Sequence, residues 1–383
     1  MAFFAVLCFL AASVLAASDA DIKRNSTEVM RARGFTVDEV YFTSPDGFIL
    51  LLQHMHHSPL VAHRGTILVL PGVMCSSYIT VIADQAFPYD LAKQGYDIWI
   101  HNARGTTDSR RHVKWSPKDK EFWQWSLENI GMVDVPAVVE FVLQQMGERS
   151  LSAVIAHSEG TAEAFMALTS SPRAANVSTM VQRYISLNPT VFMHHVSNPL
   201  FQALATIKLP ELISALGTRD FDVVDSVKKI FPWLCDIPGF CSNAVCLSVG
   251  CEGNQWNKAK LDDLAAHYPA GTSAQDIVHW AQLIRTGRFQ RFDYGAAANM
   301  ALYGQEEPPQ FDLSKLTVPT HIFYGGRDTL SDQRDVTQYL LPALPKAALA
   351  SAHLYPTYGH GDVLLNMDTP TVLYPDLYAA LTM

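Results

Sequence analysis

The stretch Leu151-Ser152-Ala153-Val154-Ile155-Ala156-His157-Ser158-Glu159-Gly160, followed by a helical run from Thr161 to Thr169, decides how this chain folds. Its first half is a short apolar run typical of a buried strand. A serine on a tight turn between a strand and a helix has its Oγ exposed above the sheet, and small flanking residues permit the close backbone approach. The usual pattern is Gly-x-Ser-x-Gly, and Ala156 replaces the first glycine. We predict that Ser158 is a nucleophile; a structural turn serine is the alternative.

A nucleophilic serine on such a turn needs a carboxylate and a histidine later in the chain, in the order Ser, Asp, His. The apolar run Thr320 to Tyr324 has the pattern of a strand, and Asp328 lies on the glycine-rich turn that follows it. Near the end of the chain, His360 lies between two glycines on a predicted loop. We predict that His360 accepts the Ser158 proton and that Asp328 orients the histidine.

Both assignments have alternatives at this stage. Asp328 could cap a turn and His360 could be a polar loop residue, while His353 and Asp362 are nearby candidates of the same types. The reaction also needs an oxyanion hole built from backbone N–H donors. One donor follows the nucleophile, at Glu159, and the other belongs to a loop after an earlier strand, where we assign Val73.

The distribution of apolar runs predicts the fold class. Buried-strand runs at 66–70, 96–100, 151–156, 184–187 and 320–324 are separated by helical stretches, which is typical of a mostly parallel sheet with crossover helices. A hairpin over Val40 to Leu52 precedes them, and Val133 to Met146 is the clearest helix. The alternation stops near Pro189 and resumes near Val318, so we predict an inserted helical cap.

Composition and charge exclude several classes of protein. The chain has 383 residues, 49% hydrophobic and 17% charged, with a net charge of −9, so it is not disordered and nucleic acid is not its expected partner. Residues 2–15 are almost wholly apolar and precede a small-residue run, which predicts a signal peptide over residues 1–18. We expect no transmembrane segment in the rest. Sequons predict glycosylation at Asn25 and Asn176.

The six cysteines fall into three groups. Cys8 lies in the predicted signal peptide, and Cys75 is expected to be a buried free thiol beside the oxyanion loop. Disulfides are expected in the cap, and the four candidates allow three pairings: Cys235, Cys241, Cys246 and Cys251. Because these cysteines include no Cys-x-x-Cys pair, we expect no metal.

Several longer blocks resemble the acid lipases, the family that includes gastric lipase and lysosomal acid lipase. They lie in the first part of the core at 102–105, 110–111, 116–117, 121–123 and 134–137, and in the cap at 241–244, 269–273, 279–280, 287–290 and 293–295. The resemblance implies an α/β-hydrolase core and a helical cap with a lid; the apolar runs give core segments 19–189 and 316–383 and a cap over 190–315. The apolar stretch 207–235 is the candidate lid, and packing of the cap onto the core is the favoured alternative for most of its side chains. The resemblance further implies hydrolysis of neutral lipid esters, triacylglycerols or sterol esters, at a lipid–water interface, without a cofactor. By motif position it supports Ser158, Asp328 and His360 as the triad.

Three departures from the family pattern leave other activities open. Pro71 stands where the family has histidine, Ala156 replaces the elbow glycine, and Glu159 replaces a glutamine. Because an ionised carboxylate beside the oxyanion hole would oppose the developing negative charge, we expect Glu159 to favour activity at acid pH. The alternatives are an esterase or acyltransferase for smaller acyl donors and a catalytically silent binding ectodomain. We expect a secreted or lysosomal protein; its oligomeric state is not predicted.

Overall fold

The computed structural model describes residue 21 and residues 23–206, 240–250 and 256–382. The predicted signal peptide, the lid at 207–235, and both Cys235 and Cys251 lie outside these residues. In the described residues a nine-stranded sheet has helices packed on both faces. This confirms the predicted α/β fold class.

The strands are β1 (Val37–Thr43), β2 (Phe48–Met55), β3 (Gly65–Leu70), β4 (Tyr96–His101), β5 (Arg111–His112), β6 (Ala153–His157), β7 (Tyr184–Leu187), β8 (Thr320–Gly325) and β9 (Leu349–Tyr355). Their order in the sheet is β1-β2-β4-β3-β6-β7-β8-β9, with β5 paired to β2. The pairs from β4 through β9 are parallel, whereas β2 is antiparallel to both of its main neighbours. The strand β9 lies at the sheet edge and was not predicted.

The helices of the first core segment are α1 (Ser26–Ala32), α2 (Tyr78–Val81), α3 (Phe87–Lys93), α4 (Leu127–Asn129), α5 (Val135–Met146), α6 (Glu159–Thr169) and α7 (Ala174–Thr179). The range of the predicted cap holds α8 (Pro199–Thr206), α9 (Phe240–Val249), α10 (Lys258–His267), α11 (Ala274–Thr286) and α12 (Ala296–Tyr303). The last segment holds α13 (Gln333–Asp335), α14 (Leu341–Ala343), α15 (Asp362–Leu365), α16 (Thr369–Val372) and α17 (Tyr374–Thr382). Short 3₁₀ turns span Lys120–Trp123 and Leu313–Lys315, and π turns span Ile130–Asp134 and Val336–Leu340.

The sheet separates two hydrophobic layers because successive strand residues point to opposite faces. In β3, Leu68 and Leu70 contact the layer that contains α5 and α6, whereas Ile67 and Val69 contact the layer on the other side. All four side chains are almost completely buried. Burial on both faces explains why the inner strands are continuous apolar runs without alternation.

A buried arginine ties the predicted hairpin to the sheet and to α5. Arg104 follows β4 and contacts two carboxylates: Asp46, in the turn between β1 and β2, and Asp134, just before α5, with N–O distances between 2.5 and 2.9 Å. Its guanidinium also stacks on Phe48, 4.1 Å from the ring centre. The Asn102–Gly105 block that resembles the acid lipases therefore has a structural task in this chain.

The parallel strands end at a common edge, and the loops beyond this edge carry the predicted site. Ser158 follows β6, Asp328 follows β8, and His360 follows β9. Ligand sites of α/β sheets lie at the carboxyl ends of the strands. Among the described residues, no helix is both long and apolar enough to span a bilayer.

Candidate active site

Ser158 lies on a strained turn between β6 and α6. Its backbone has φ +56° and ψ −125°, a conformation that a non-glycine residue rarely adopts. Close packing enforces the turn: a methyl group on Gly160 would lie 2.5 Å from the carbonyl oxygen of Leu70, and one on Gly72 would lie 2.8 Å from Cβ of Ser158. Alanine at position 156 is accommodated within β6, so this departure leaves the turn intact.

The structure brings the three predicted residues together in one chain of hydrogen bonds. His360 Nε2 lies 2.8 Å from Oγ of Ser158, and His360 Nδ1 lies 2.8 Å from Oδ2 of Asp328. The other oxygen, Oδ1 of Asp328, accepts the backbone N–H groups of Leu330 and Ser331, both at 2.8 Å. Asp328 is thereby held in place, and it orients His360 with Nδ1–H toward Asp328 and Nε2 toward the hydroxyl of Ser158.

Two residues that sequence reasoning missed hold the His360 loop in place. Asn188, at the end of β7, donates from Nδ2 to the carbonyl oxygens of Gly359 and His360, at 3.1 and 2.8 Å, and accepts the N–H of Gly325 at 3.0 Å. His157 donates from Nε2 to the same His360 carbonyl at 3.0 Å. Burial and the neighbouring His360 lower the pKa of His157 to about 3, so this histidine stays neutral.

A sequence signal for Asn188 did exist. It is the first residue after a buried strand and precedes a proline, so it lies at the carboxyl edge of the sheet. The two neighbouring candidates have other tasks. Asp362 accepts the N–H of Gly359 and the indole N–H of Trp256, both at 2.5 Å, and His353 stacks on Phe323.

Glu159 and Val73, whose N–H groups are the expected oxyanion donors, belong to segments next to Ser158, and a free thiol lies two residues beyond Val73. Glu159 begins α6, so its N–H has no partner four residues earlier in the helix. Val73 is buried and follows Gly72, whose Cα packs against Ser158. Cys75 is buried and free, as predicted, and burial raises the pKa of its thiol. Within the range of the predicted cap, Cys246 is disulfide-bonded.

The Glu159 side chain belongs to a buried cluster of three carboxyl groups. Its Oε2 accepts the indole N–H of Trp280 from the cap helix α11. Burial, and then the charges of Asp276 and Glu163, raise the pKa of Glu159 well above its ordinary value. Burial also raises the pKa of Asp276 to about 7 and that of Glu163 well above its usual range. A proton shared between Glu159 and Asp276 would satisfy Oδ1 of Asp276, which is buried without another hydrogen-bond partner.

The fold and the hydrogen-bonded chain of Ser158, His360 and Asp328 define an α/β-hydrolase. Comparison with known proteins agrees with this class. The profile of the alpha/beta hydrolase fold matches residues 65–366. A soluble variant of monoglyceride lipase from Saccharomyces cerevisiae, solved with a substrate analog, has a similar fold, with a TM-score of 0.56 at 16% identity over 90% of this chain and 95% of that one.

Two relatives narrow the class from α/β-hydrolases in general to the acid lipases. Human lipase member K is 32% identical over 92% of this chain and 89% of its own length. Gastric triacylglycerol lipase from Rattus norvegicus is 30% identical over 92% of this chain and 90% of its own. The chain therefore belongs to the acid lipase family of α/β-hydrolases and is a carboxylic ester hydrolase.

Proposed function

We propose that this chain hydrolyses carboxylic esters of neutral lipids, triacylglycerols or sterol esters, at a lipid–water interface through an acyl-enzyme on Ser158. The observation that carries the proposal is the hydrogen-bonded chain from Ser158 through His360 to Asp328. All three side chains lie at the carboxyl edge of the sheet, beneath the cap. Gly250, which follows the cap helix α9, comes within van der Waals distance of His360 when a methyl group is placed on it.

The geometry supports a two-step acyl transfer. His360 Nε2 takes the proton of Ser158 as Oγ bonds to the ester carbonyl carbon, and the N–H groups of Val73 and Glu159 stabilise the resulting oxyanion. His360 then gives this proton to the alkoxy oxygen as the C–O bond breaks and the alcohol leaves. Water next attacks the acyl carbon while His360 takes one of its protons. His360 then returns this proton to Oγ of Ser158 as the Oγ–C bond breaks, and the fatty acid leaves. Asp328 remains ionised throughout and stabilises the imidazolium.

Glu159 makes this mechanism compatible with mildly acid pH. A protonated carboxyl has nearly the shape of the glutamine that the family carries at this position and adds no charge beside the oxyanion. Its burial with Asp276 and Glu163 favours the protonated form, so the departure is compatible with catalysis at mildly acid pH.

The remaining organisation is proposed with the same function. Residues 1–18 form a signal peptide, 19–189 and 316–383 form the core, and 190–315 form the cap with its lid at 207–235. The destination is extracellular or lysosomal. The acceptor residues Asn25 and Asn176 are both exposed on the surface, which is compatible with glycosylation. Cys246 pairs with one of the other cap cysteines.

A fluorophosphonate probe tests the nucleophile directly. We expect the probe to label the wild-type protein and Ser158→Ala to abolish labelling and lower kcat by roughly 10⁴-fold or more. Ser186→Ala, a buried serine on the adjacent strand β7, is the matched control and should retain labelling. A wild-type protein that is folded but unlabelled would refute the enzyme mechanism and favour a binding role.

Assays on emulsified and soluble esters of different chain length then test the substrate class. A lipase should prefer emulsified long-chain glycerides or sterol esters over short soluble esters. The reverse preference would indicate an esterase or acyltransferase that acts on smaller acyl donors.

A further inference from the structure

A second group of chemically reactive side chains lies at the end of the sheet opposite to Ser158, where the parallel strands have their amino ends. There β2 ends and the parallel strands β3 and β4 begin. His57 follows β2, His63 precedes β3, and Asp97 is the second residue of β4. The expectation of no metal rested on the spacing of the cysteines, and no local sequence pattern marks this group because its members are up to 40 residues apart in the chain.

The three ligand atoms of this group lie within 4.8 Å of one another. Oδ2 of Asp97 lies 2.9 Å from Nδ1 of His57 and 3.0 Å from Nδ1 of His63. Ligands about 2.0–2.1 Å from a tetrahedral zinc ion are separated by about 3.3 Å, so small side-chain movements would accommodate the ion. The Asp97 side chain is 4% exposed, whereas His57 and His63 are 28% and 39% exposed. The Asp97 carboxylate is thus buried, whereas solvent can reach both histidines.

A second layer of residues holds these groups in position. His54 Nε2 lies 2.7 Å from Oδ1 of Asp97, the other oxygen of the same carboxylate. Glu148 Oε1 lies 2.7 Å from Nε2 of His63 and also accepts the hydroxyl of Thr66 at 2.9 Å. Metal-binding histidines regularly donate their other ring N–H to a carboxylate in this way.

The two ring nitrogens of His63 face different carboxylates, Asp97 at Nδ1 and Glu148 at Nε2. With a metal ion bound at Nδ1, Nε2–H would donate to Glu148 while Asp97 bound the same ion. The contacts around His63 therefore match those of a metal-binding histidine.

We propose that His57, His63 and Asp97 form a binding site for one divalent transition-metal ion, with Zn²⁺ as the best match and water as the fourth ligand. Two imidazoles and one carboxylate are a ligand set that suits zinc and its neighbours rather than Mg²⁺ or Ca²⁺. The ion would fasten the loop between β2 and β3 to the start of β4. This site is independent of the ester chemistry at the other edge.

A neighbouring group, Asp38, His54 and His56, is the weaker candidate. His54 already uses Nε2 for Asp97, and the Asp38 side chain is 60% exposed. His56 therefore provides a matched control: it is a histidine next to the site, half-exposed and bonded to a carboxylate, but outside the proposed ligand set.

Zn²⁺ titration of the chelator-stripped full-length enzyme at pH 7.5, followed by calorimetry, tests the site. We expect one ion per chain, and a melting temperature that rises with the Zn²⁺ concentration. His57→Ala and His63→Ala, both at partly exposed positions, should abolish this binding, and Glu148→Gln should weaken it about 10–100-fold. His56→Ala and Ser158→Ala should bind as the wild type does, and Mg²⁺ should not compete.

Several outcomes would overturn the proposal. They are an absence of saturable binding to the wild type, full binding to the His57→Ala/His63→Ala double variant, or a loss of binding in His56→Ala. A loss in Ser158→Ala would place the ion at the catalytic histidine instead. The zinc absorption edge gives a second readout: two imidazole nitrogens with oxygen donors support the site, and sulfur ligands contradict it.

Discussion

Replacing Glu159 by glutamine should make the stability of the protein less sensitive to pH. Glutamine has the shape of the protonated glutamate, so it can accept the Trp280 N–H and donate to Asp276 without a titrating proton. In the wild type, burial holds Glu159 protonated in the folded chain, whereas in the unfolded chain a glutamate ionises near pH 4.3. The folded state therefore binds the extra proton, and stability falls as pH rises above that value.

The size of the effect follows from proton linkage. A carboxyl that is protonated when folded and ionised when unfolded lowers the free energy of unfolding by about 1.4 kcal/mol per pH unit. Because burial raises the pKa of Glu159 well above its ordinary value, the window opens near the pKa of the unfolded glutamate and extends to higher pH. Within it Glu159 should contribute a loss of about 1.4 kcal/mol per pH unit, which Glu159→Gln should remove.

Denaturant unfolding at pH 5, 6 and 7 measures this difference. The two proteins should be similarly stable at pH 5, and the variant should be the more stable one at pH 7. Glu307→Gln removes a carboxylate whose side chain is 77% exposed and should leave the wild-type slope unchanged. Parallel pH dependences for the wild type and Glu159→Gln would refute the reasoning.

The same variant tests the proposed effect on catalysis. With a soluble ester, kcat of the wild type should decline toward higher pH as Glu159 ionises beside the oxyanion, and Glu159→Gln should extend activity in that direction. The acid limb of the profile should be the same in both proteins. An unchanged pH profile would show that the charge of Glu159 does not change the free energy of the transition state.

Three further substitutions test the support of the site and of the fold. Asn188→Ala should lower kcat per labelled active site roughly 10–100-fold with little change in KM, whereas a merely structural role would lower only the labelled fraction. Gly160→Ala forces a methyl group against two backbone carbonyls and should cost about 1–3 kcal/mol together with activity; Gly147→Ala, which contacts nothing within 4 Å, should leave activity intact. Arg104→Met should cost roughly 3–5 kcal/mol because Asp134 stays buried and unpaired, and Arg104→Met/Asp134→Leu should recover most of it.

The parts of the fold that the sequence predicts are those encoded locally. The strand–serine–helix run around Ser158 and the inner strands are continuous signals, because burial on both faces demands apolar residues throughout. The strand β9 was not predicted because its residues, Leu349 to Tyr355, do not form a continuous apolar run. They are rich in alanine and serine and are half-exposed on the outermost strand of the sheet. The predicted helix at 133–146 begins at Val135, because a π turn precedes it.

The support of the site could not be predicted in the same way. Asn188 and His157 act on a loop about 170 and 200 residues away. The local pattern places Asn188 at the carboxyl end of a strand, but it does not identify the loop that Asn188 contacts. The carboxyl cluster joins α6 to the cap helix α11, so the environment that protonates Glu159 depends on the tertiary fold. The histidine group at the other edge is likewise assembled from separate strand ends.

The hydrogen bond between Ser158 and His360 spans 202 residues of chain. During synthesis from the N-terminus, at about 5–20 residues per second, the nucleophile therefore emerges roughly 10–40 s before its base. Until β9 adds to the edge of the sheet, Ser158 has no group to accept its proton. A chain that stops before residue 360 would be unable to cleave an ester, so activity reports that the whole sheet has been assembled.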